Sequence, residues 1–236
     1  MCTVSFVNSA EGVIITSNRD EKVIRPSAIA PRNYCQNGKN MMYPKDAKAG
    51  GTWFVIDEKG TVLVLLNGGK IKHVPELFYR KSRGIIALDI ISSESPKDFW
   101  TKINLEDIEP FTLVLYQREE LYELVWDGFS KVKTVLDRSK NHIWSSVTLY
   151  SKEIRQERSN WFFDFLKDKK DISGSELLNF HRTTESGDSE NGLVINRENV
   201  LKTLSITQAV IEKNKCVLRY YDLVKTQNFL SSFISI

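Results

Sequence analysis

The chain has 236 residues, of which 41% are hydrophobic, 11% aromatic and 27% charged, an ordinary globular composition that excludes a disordered, collagenous or coiled-coil chain. Lys and Arg number 33 against 30 Asp and Glu, and the resulting net charge of +3 is too mild for a nucleic-acid binder. The three cysteines, Cys2, Cys35 and Cys216, are odd in number and without CxxC spacing, which points to a reducing compartment and no structural metal site.

The start of the chain lacks a basic stretch leading into a long apolar run, and no window approaches about 18 apolar residues, so no secretory signal and no membrane span are expected and the protein reads as cytoplasmic. Residues 3–7 and 13–16 are short apolar strands joined by turn chemistry at 8–12, a hairpin. Residues 22–50, with Pro26, Pro31 and Pro44, read as irregular. Residues 52–56 and 61–66 form a second hairpin across Asp57-Glu58-Lys59-Gly60, apolar enough to be covered on both faces. A loop over 67–83 leads to a helix at 84–91. Ser95-Pro96-Lys97-Asp98 opens another helix, reaching 103. Strands follow at 111–116, 121–126 and 131–136, with a short one at 144–146. An amphipathic helix covers 151–167. Ser173 with Glu176 is a capping box for 177–181. Residues 183–192 read as a mobile polar loop, and 200–211 with 215–222 make a final hairpin. The simplest packing is a two-sheet sandwich covered by helices.

Cys2 carries the most chemical information. Initiator methionine is normally removed before a small second residue, which would leave thiol and α-amine on one residue. An amine with a reference pKa of roughly 7.7–8.0 can serve as base for a thiol of about 8.5, the N-terminal-nucleophile form of base-assisted attack. A cysteine that simply packs after Met1 is the plain alternative. The second strand runs into Ser17-Asn18-Arg19-Asp20-Glu21, and in a hairpin this end lies beside Cys2. A guanidinium there lowers a thiol pKa by about 1–3 units, and a carboxylate can hold the amine. The alternative is a solvated strand end. Asn67 ends an apolar strand before Gly68-Gly69, placed to donate to an oxyanion or merely to form a turn. Trp53 follows Gly50-Gly51-Thr52 and suits either a pocket wall or the core. Residues 70–83 carry Lys70, Lys72, Arg80, Lys81 and Arg83 against Glu76, a solvated face or a surface that steers an anionic substrate. Cys35 and Cys216 read as packing residues, the Trp161-to-Leu166 cluster as helix core, and His73, His142 and His181 lack metal-ligand spacing.

Together these residues resemble the NRDE family, named for Asn18-Arg19-Asp20-Glu21, whose eukaryotic representative is the transport and Golgi organisation protein. Met1-Cys2, the 17–21 block, Arg25-Pro26, Gly50-Gly51-Thr52-Trp53 and Ser82-Arg83-Gly84 match it in order. The resemblance implies an α+β fold, an αββα four-layer sandwich of two mainly antiparallel sheets covered by helices, like the N-terminal-nucleophile hydrolases. Within them it looks nearest to the penicillin V acylase and bile-salt hydrolase group, which cleaves non-peptide amide bonds through an N-terminal Cys. The implied catalytic residues are Cys2, Arg19, Asp20 and Asn67. The implied substrate-binding residues are Asn18, Trp53, Arg83, Ser146 and Arg197. Ser145-Ser146 stand where the family shows Ser-Asn, and Arg197 matches a late family Arg loosely. The hydrolases carry Arg-Asn-x-Asp, whereas Asn18, Arg19 and Asp20 are consecutive. Strand side chains alternate, so Arg19 and Asp20 share a face only if the strand has ended or bulged.

The expectation is one domain over 1–236 that hydrolyses the amide bond of a small acyl compound without cofactor or metal. The competing expectation is a non-catalytic carrier of an amphipathic anionic ligand, such as a lipid, an acyl conjugate or haem, which matches the lipid and haem handling linked to the eukaryotic representative. Neither requires nucleic acid, and self-association is compatible with both.

Overall fold

A computed structural model describes residues 3–10 and 12–234; Met1, Cys2, Glu11, Ser235 and Ile236 lie outside the described residues. The elements are β1 (Thr3–Ser9), β2 (Gly12–Lys22), β3 (Ile29–Gln36), β4 (Lys39–Lys45), β5 (Phe54–Asp57), β6 (Val62–Asn67), α1 (Arg83–Ile91), α2 (Pro96–Lys102), β7 (Phe111–Gln117), β8 (Glu120–Trp126), β9 (Lys131–Leu136), β10 (His142–Ser145), α3 (Lys152–Leu166), α4 (Gly174–Thr183), β11 (Asn196–Arg197), β12 (Leu201–Glu212), β13 (Lys215–Asp222) and β14 (Gln227–Ile234).

The strands form two antiparallel seven-stranded sheets. The first has the order β10-β1-β2-β12-β13-β14, with β11 alongside β12, and the second runs from β3 to β9 in chain order. Alternation along the strands sets the layers. Val4, Phe6, Val13 and Ile15 join the core that contains β5, β6 and β7. Val7 and Ile14 face the other way, onto Phe162, Leu177 and Phe180 of α3 and α4. The second sheet is covered by α1 and α2, which pack on β5, β6 and β7. The result is the expected αββα sandwich, and the unbroken burial of β6 and β7 follows from cover on both faces. No helix among the described residues is long and apolar enough to cross a membrane.

Three expectations need correction. The second strand does not stop at residue 16. It continues through Ser17-Asn18-Arg19-Asp20 to Lys22, because Asn18, Arg19 and Asp20 are buried with partners waiting on either face. Residues 22–50 are not irregular but contain the β3–β4 hairpin, turned at Asn37-Gly38 with φ of 53° and 74°. Pro31 is tolerated because β3 is a sheet edge with a register shift between Ile29 and Arg32. The first sheet also gains β14, which residues 223–236 had not suggested.

Candidate functional site

β2 sits inside the first sheet, between β1 and β12, and its alternation divides the family block between two faces. Thr3 pairs with Asn18 across β1 and β2. Asn18 and Asp20 face the helix layer, while Ser17 and Arg19 face the space between the sheets.

On the inter-sheet side lies a cavity of about 660 Å³ that Arg19, Trp53, Asn67 and Arg83 line together. Arg19 is 4% exposed. Its Nη2 donates to Asp46 Oδ2 at 3.0 Å, and the guanidinium lies 4.2 Å over the Trp53 ring. Burial pulls the Arg19 pKa down and Glu21 and Asp46 oppose it; an arginine so placed stays cationic. Asp46 also accepts from Arg25 Nε at 2.7 Å and from the Ala49 N–H at 2.7 Å. Burial would raise its pKa, but these bonds and both guanidinium charges hold the carboxyl below its usual range. Arg83 opens α1, where Ser82 caps the helix, and meets Glu109 Oε2 at 3.0 Å. Burial lowers its pKa, again against a paired carboxylate. Helix α1 can approach this closely because Gly84 meets Gly51: a Cβ on Gly51 would stand 2.3 Å from the Gly84 carbonyl carbon.

Asn67 ends β6, opposite Phe111. Its main-chain carbonyl accepts from Ser146 Oγ at 2.9 Å, and no described group holds its carboxamide. Trp53 Nε1 is buried without an acceptor among the described residues. The Asn67 carboxamide is a donor available to a ligand's oxygen. Cations Arg19, Arg25, Lys48, Lys81 and Arg83 stand against Glu21, Asp46 and Glu109 around the cavity, a positive excess.

The helix-side face of the same strand carries a second network. Asp20 Oδ2 accepts from Tyr150 OH at 2.6 Å, and Oδ1 accepts from Thr203 Oγ1 at 2.6 Å. The Tyr150 ring is covered by the Arg158 guanidinium at 3.6 Å, with that of Arg197 at 5.2 Å. Arg158, fully buried, donates to Thr3 Oγ1 and to the carbonyls of Asn191 and Gly192. Asn18 joins neither the cavity nor this chain of contacts. It donates to the carbonyls of His181 and Leu193, and its Oδ1 accepts from His181 Nδ1 at 2.6 Å, tying β2 to α4.

Of the sequence-predicted residues, Arg19, Trp53, Asn67 and Arg83 come together in one cavity. Asp20 and Arg197 gather behind it. Ser146 stands under the Asn67 main chain, and Asn18 serves as an anchor. Cys2 lies outside the described residues. Arg25, Asp46, Tyr150 and Arg158 were not anticipated. Arg158 had a signal: it lies on the stripe 154, 158, 161, 162, 165 that α3 turns inward, where a charge needs a buried partner. Cys216 is buried, its thiol pushed up to about 12 by burial and then by Asp57.

Comparison with known proteins agrees with this architecture. An N-acylethanolamine-hydrolyzing acid amidase ortholog of Caenorhabditis elegans superposes with a TM-score of 0.62 at 12% identity, covering 89% of this chain and 92% of the other. A mutant of the conjugated bile acid hydrolase of Clostridium perfringens, with alanine in place of a cysteine, gives 0.62 at 11% identity, over 98% and 92%. A second variant of that hydrolase, with leucine in place of an arginine, gives 0.61 at 12%, over 98% and 92%. The fold is therefore that of the N-terminal-nucleophile hydrolases. No curated protein matches at the sequence level. The sequence profile of the Transport and Golgi organisation 2 family matches residues 1–226, and the chain belongs to that family.

Proposed function

We propose that the protein is an N-terminal cysteine hydrolase that cleaves the non-peptide amide bond of a small acyl compound. One observation carries this reading: Arg19 and Asn67 line a single cavity at the end of β2 where Thr3 pairs with Asn18. Cys2 itself lies outside the described residues and immediately precedes Thr3 in sequence. Met1 is removed. The freed α-amine takes the thiol proton, and the thiolate, favoured by the Arg19 guanidinium, attacks the substrate carbonyl. The Asn67 carboxamide and a backbone N–H receive the oxyanion, one such donor being worth about 2.7–4 kcal/mol. The C–N bond breaks as the α-ammonium returns its proton to the leaving amine. Water then hydrolyses the thioester, releasing the carboxylic acid and restoring the thiol. Asp20, fixed by Tyr150 and Thr203, orients the α-amine.

Intact mass and iodoacetamide labelling test this in a Cys35→Ser background, because Cys35 is exposed. The expected result is loss of Met1, alkylation of Cys2 well ahead of Cys216, and acyl-amide turnover abolished in Cys2→Ala. Retained Met1, or turnover indifferent to Cys2, refutes it.

The cationic excess around the cavity favours a second reading: a carrier for an amphipathic anion such as a fatty acyl conjugate or haem. Its mark is an affinity for these ligands that Cys2→Ala leaves unchanged, with no turnover in either protein.

A further inference from the structure

The β6–α1 loop, residues 68–82, carries its apolar side chains outward. Ile71 is 77% exposed, Val74 88%, Leu77 109% and Phe78 73%. Scattered apolar residues are normal on a surface, but four within eight positions of an irregular segment are not. The loop also forms part of the cavity wall: Tyr79, Lys81 and Ser82 line the cavity that holds Arg19. A further apolar side chain, Ile24 at 91% exposure, stands next to Arg25 on the same cavity. Apolar tips therefore flank the chamber on two loops, one after β2 and one after β6.

Charge identifies the occupant. Within the loop, Lys70, Lys72, Arg80 and Lys81 stand against Glu76. Lys81 is paired with Asp89, and Arg80 donates to the main-chain carbonyls of Asn104 and Glu106. The Asp127 carboxyl is held below its usual range by the Ser130 and Phe129 N–H groups, and the Lys70 charge adds to this. No salt bridge is seen for Lys72 among the described residues. Glu76, Glu106, Asp107 and Asp127 line the neighbouring groove with Val74, Phe129 and Lys131, so the loop's basic excess rests on Lys70 and Lys72.

We propose that residues 70–79 dock the protein on an anionic membrane surface, with Ile71, Val74, Leu77 and Phe78 in the headgroup–acyl boundary and Lys70 and Lys72 among the headgroups. Apolar insertion combined with lysine attraction is how interfacial segments hold a bilayer. A protein groove would need the apolar residues gathered into a continuous face, whereas here they are spread along an irregular loop with Lys72, Pro75 and Glu76 between. Docking brings the cavity mouth to the lipid, so an amphipathic compound can pass from bilayer to chamber without crossing water. The docking itself does not depend on Cys2, so it survives if the hydrolytic reading fails.

Flotation of the full chain with phosphatidylcholine vesicles, with and without phosphatidylserine, tests the proposal. Wild type should float with phosphatidylserine vesicles and be released by salt. Leu77→Asp with Phe78→Asp should weaken this at least about tenfold. Lys70→Gln and Lys72→Gln should each weaken it by about fivefold and reduce its dependence on phosphatidylserine. Phe163→Asp, on the exposed side of α3 over the other sheet, should leave it unchanged. All four loop residues are exposed, so circular dichroism should show every variant folded. Flotation that is absent in wild type, or unaffected by Leu77→Asp with Phe78→Asp, overturns the proposal. So does self-association abolished by the same pair without vesicle binding, which would make the patch a contact between copies.

Discussion

His181 is fully buried between Ser5 and Asn18. Asn18 uses both amide hydrogens on carbonyls, so its Oδ1 must accept the Nδ1–H, and Nε2 accepts the Ser5 hydroxyl at 2.7 Å. The arrangement of serine, imidazole and amide is hydrolytic in outline, but it is sealed from solvent and serves to hold β1, β2 and α4 together. Burial, helped by the Arg158 charge, lowers the imidazole to about 3, against 6.5 when exposed. Between those values the unfolded chain binds the extra proton, so stability from this group is complete above pH 6.5 and declines as pH falls. Each pH unit costs up to about 1.4 kcal/mol. Urea midpoints should therefore drop steadily from pH 7 to pH 5, and His181→Gln should be less stable at pH 7 yet flatter in profile. A wild-type midpoint that does not move over this range would contradict the assignment.

At the scale of elements, the helices announce themselves. Ser82, Ser151 and the Ser173–Glu176 box stand at helix starts because orphan N–H groups need acceptors and few residue types supply them, whereas at α2 the Ser95 side chain accepts no such bond and Pro96 marks the start. The β3–β4 hairpin was hidden by Pro31 and Pro44, although Asn37-Gly38 was a turn signal in plain view. The length of β2 was hidden for a different reason. A run of Ser, Asn, Arg and Asp looks like a strand end unless one knows which buried groups await them, and those groups, Tyr150, His181 and Thr203, lie far along the chain. The juxtaposition of Gly51 with Gly84 is equally long-range. Gly51→Ala should cost about 1–3 kcal/mol by overpacking and push α1 away from the cavity, displacing Arg83. Thermal denaturation reads the first effect. A weaker hold on an anionic probe reads the second, and an Ala variant as stable as wild type would show that the contact is slack.

For the whole molecule, the four layers were implied by family resemblance, whereas strand patterning alone yielded only a helix-covered sandwich. Four of the nine predicted site residues share one chamber, because β2 of the first sheet, the start of β5 and end of β6 in the second, and the start of α1 converge there. A net charge of +3 for the chain says little by itself, but the excess of cations around the cavity makes a local field that extends about one screening length, roughly 8 Å at physiological salt. Affinity for a fatty-acyl anion, followed by fluorescence, should fall as salt rises, while a neutral acyl amide should be indifferent. Lys81→Gln should reduce the slope. Equal salt response for charged and neutral probes would show that the field does not act on the ligand.

The turn between Ser9 and Gly12 spaces β2 against β1, and through that spacing decides which neighbour in the Arg19-Asp20 pair looks into the chamber. Insert or delete one residue there and the two would trade places, removing the Arg19 charge from the chamber and reducing its cationic excess with every motif letter intact. Relatives that keep the four-letter signature but differ in loop length at this corner should therefore be expected to hold anionic ligands less tightly.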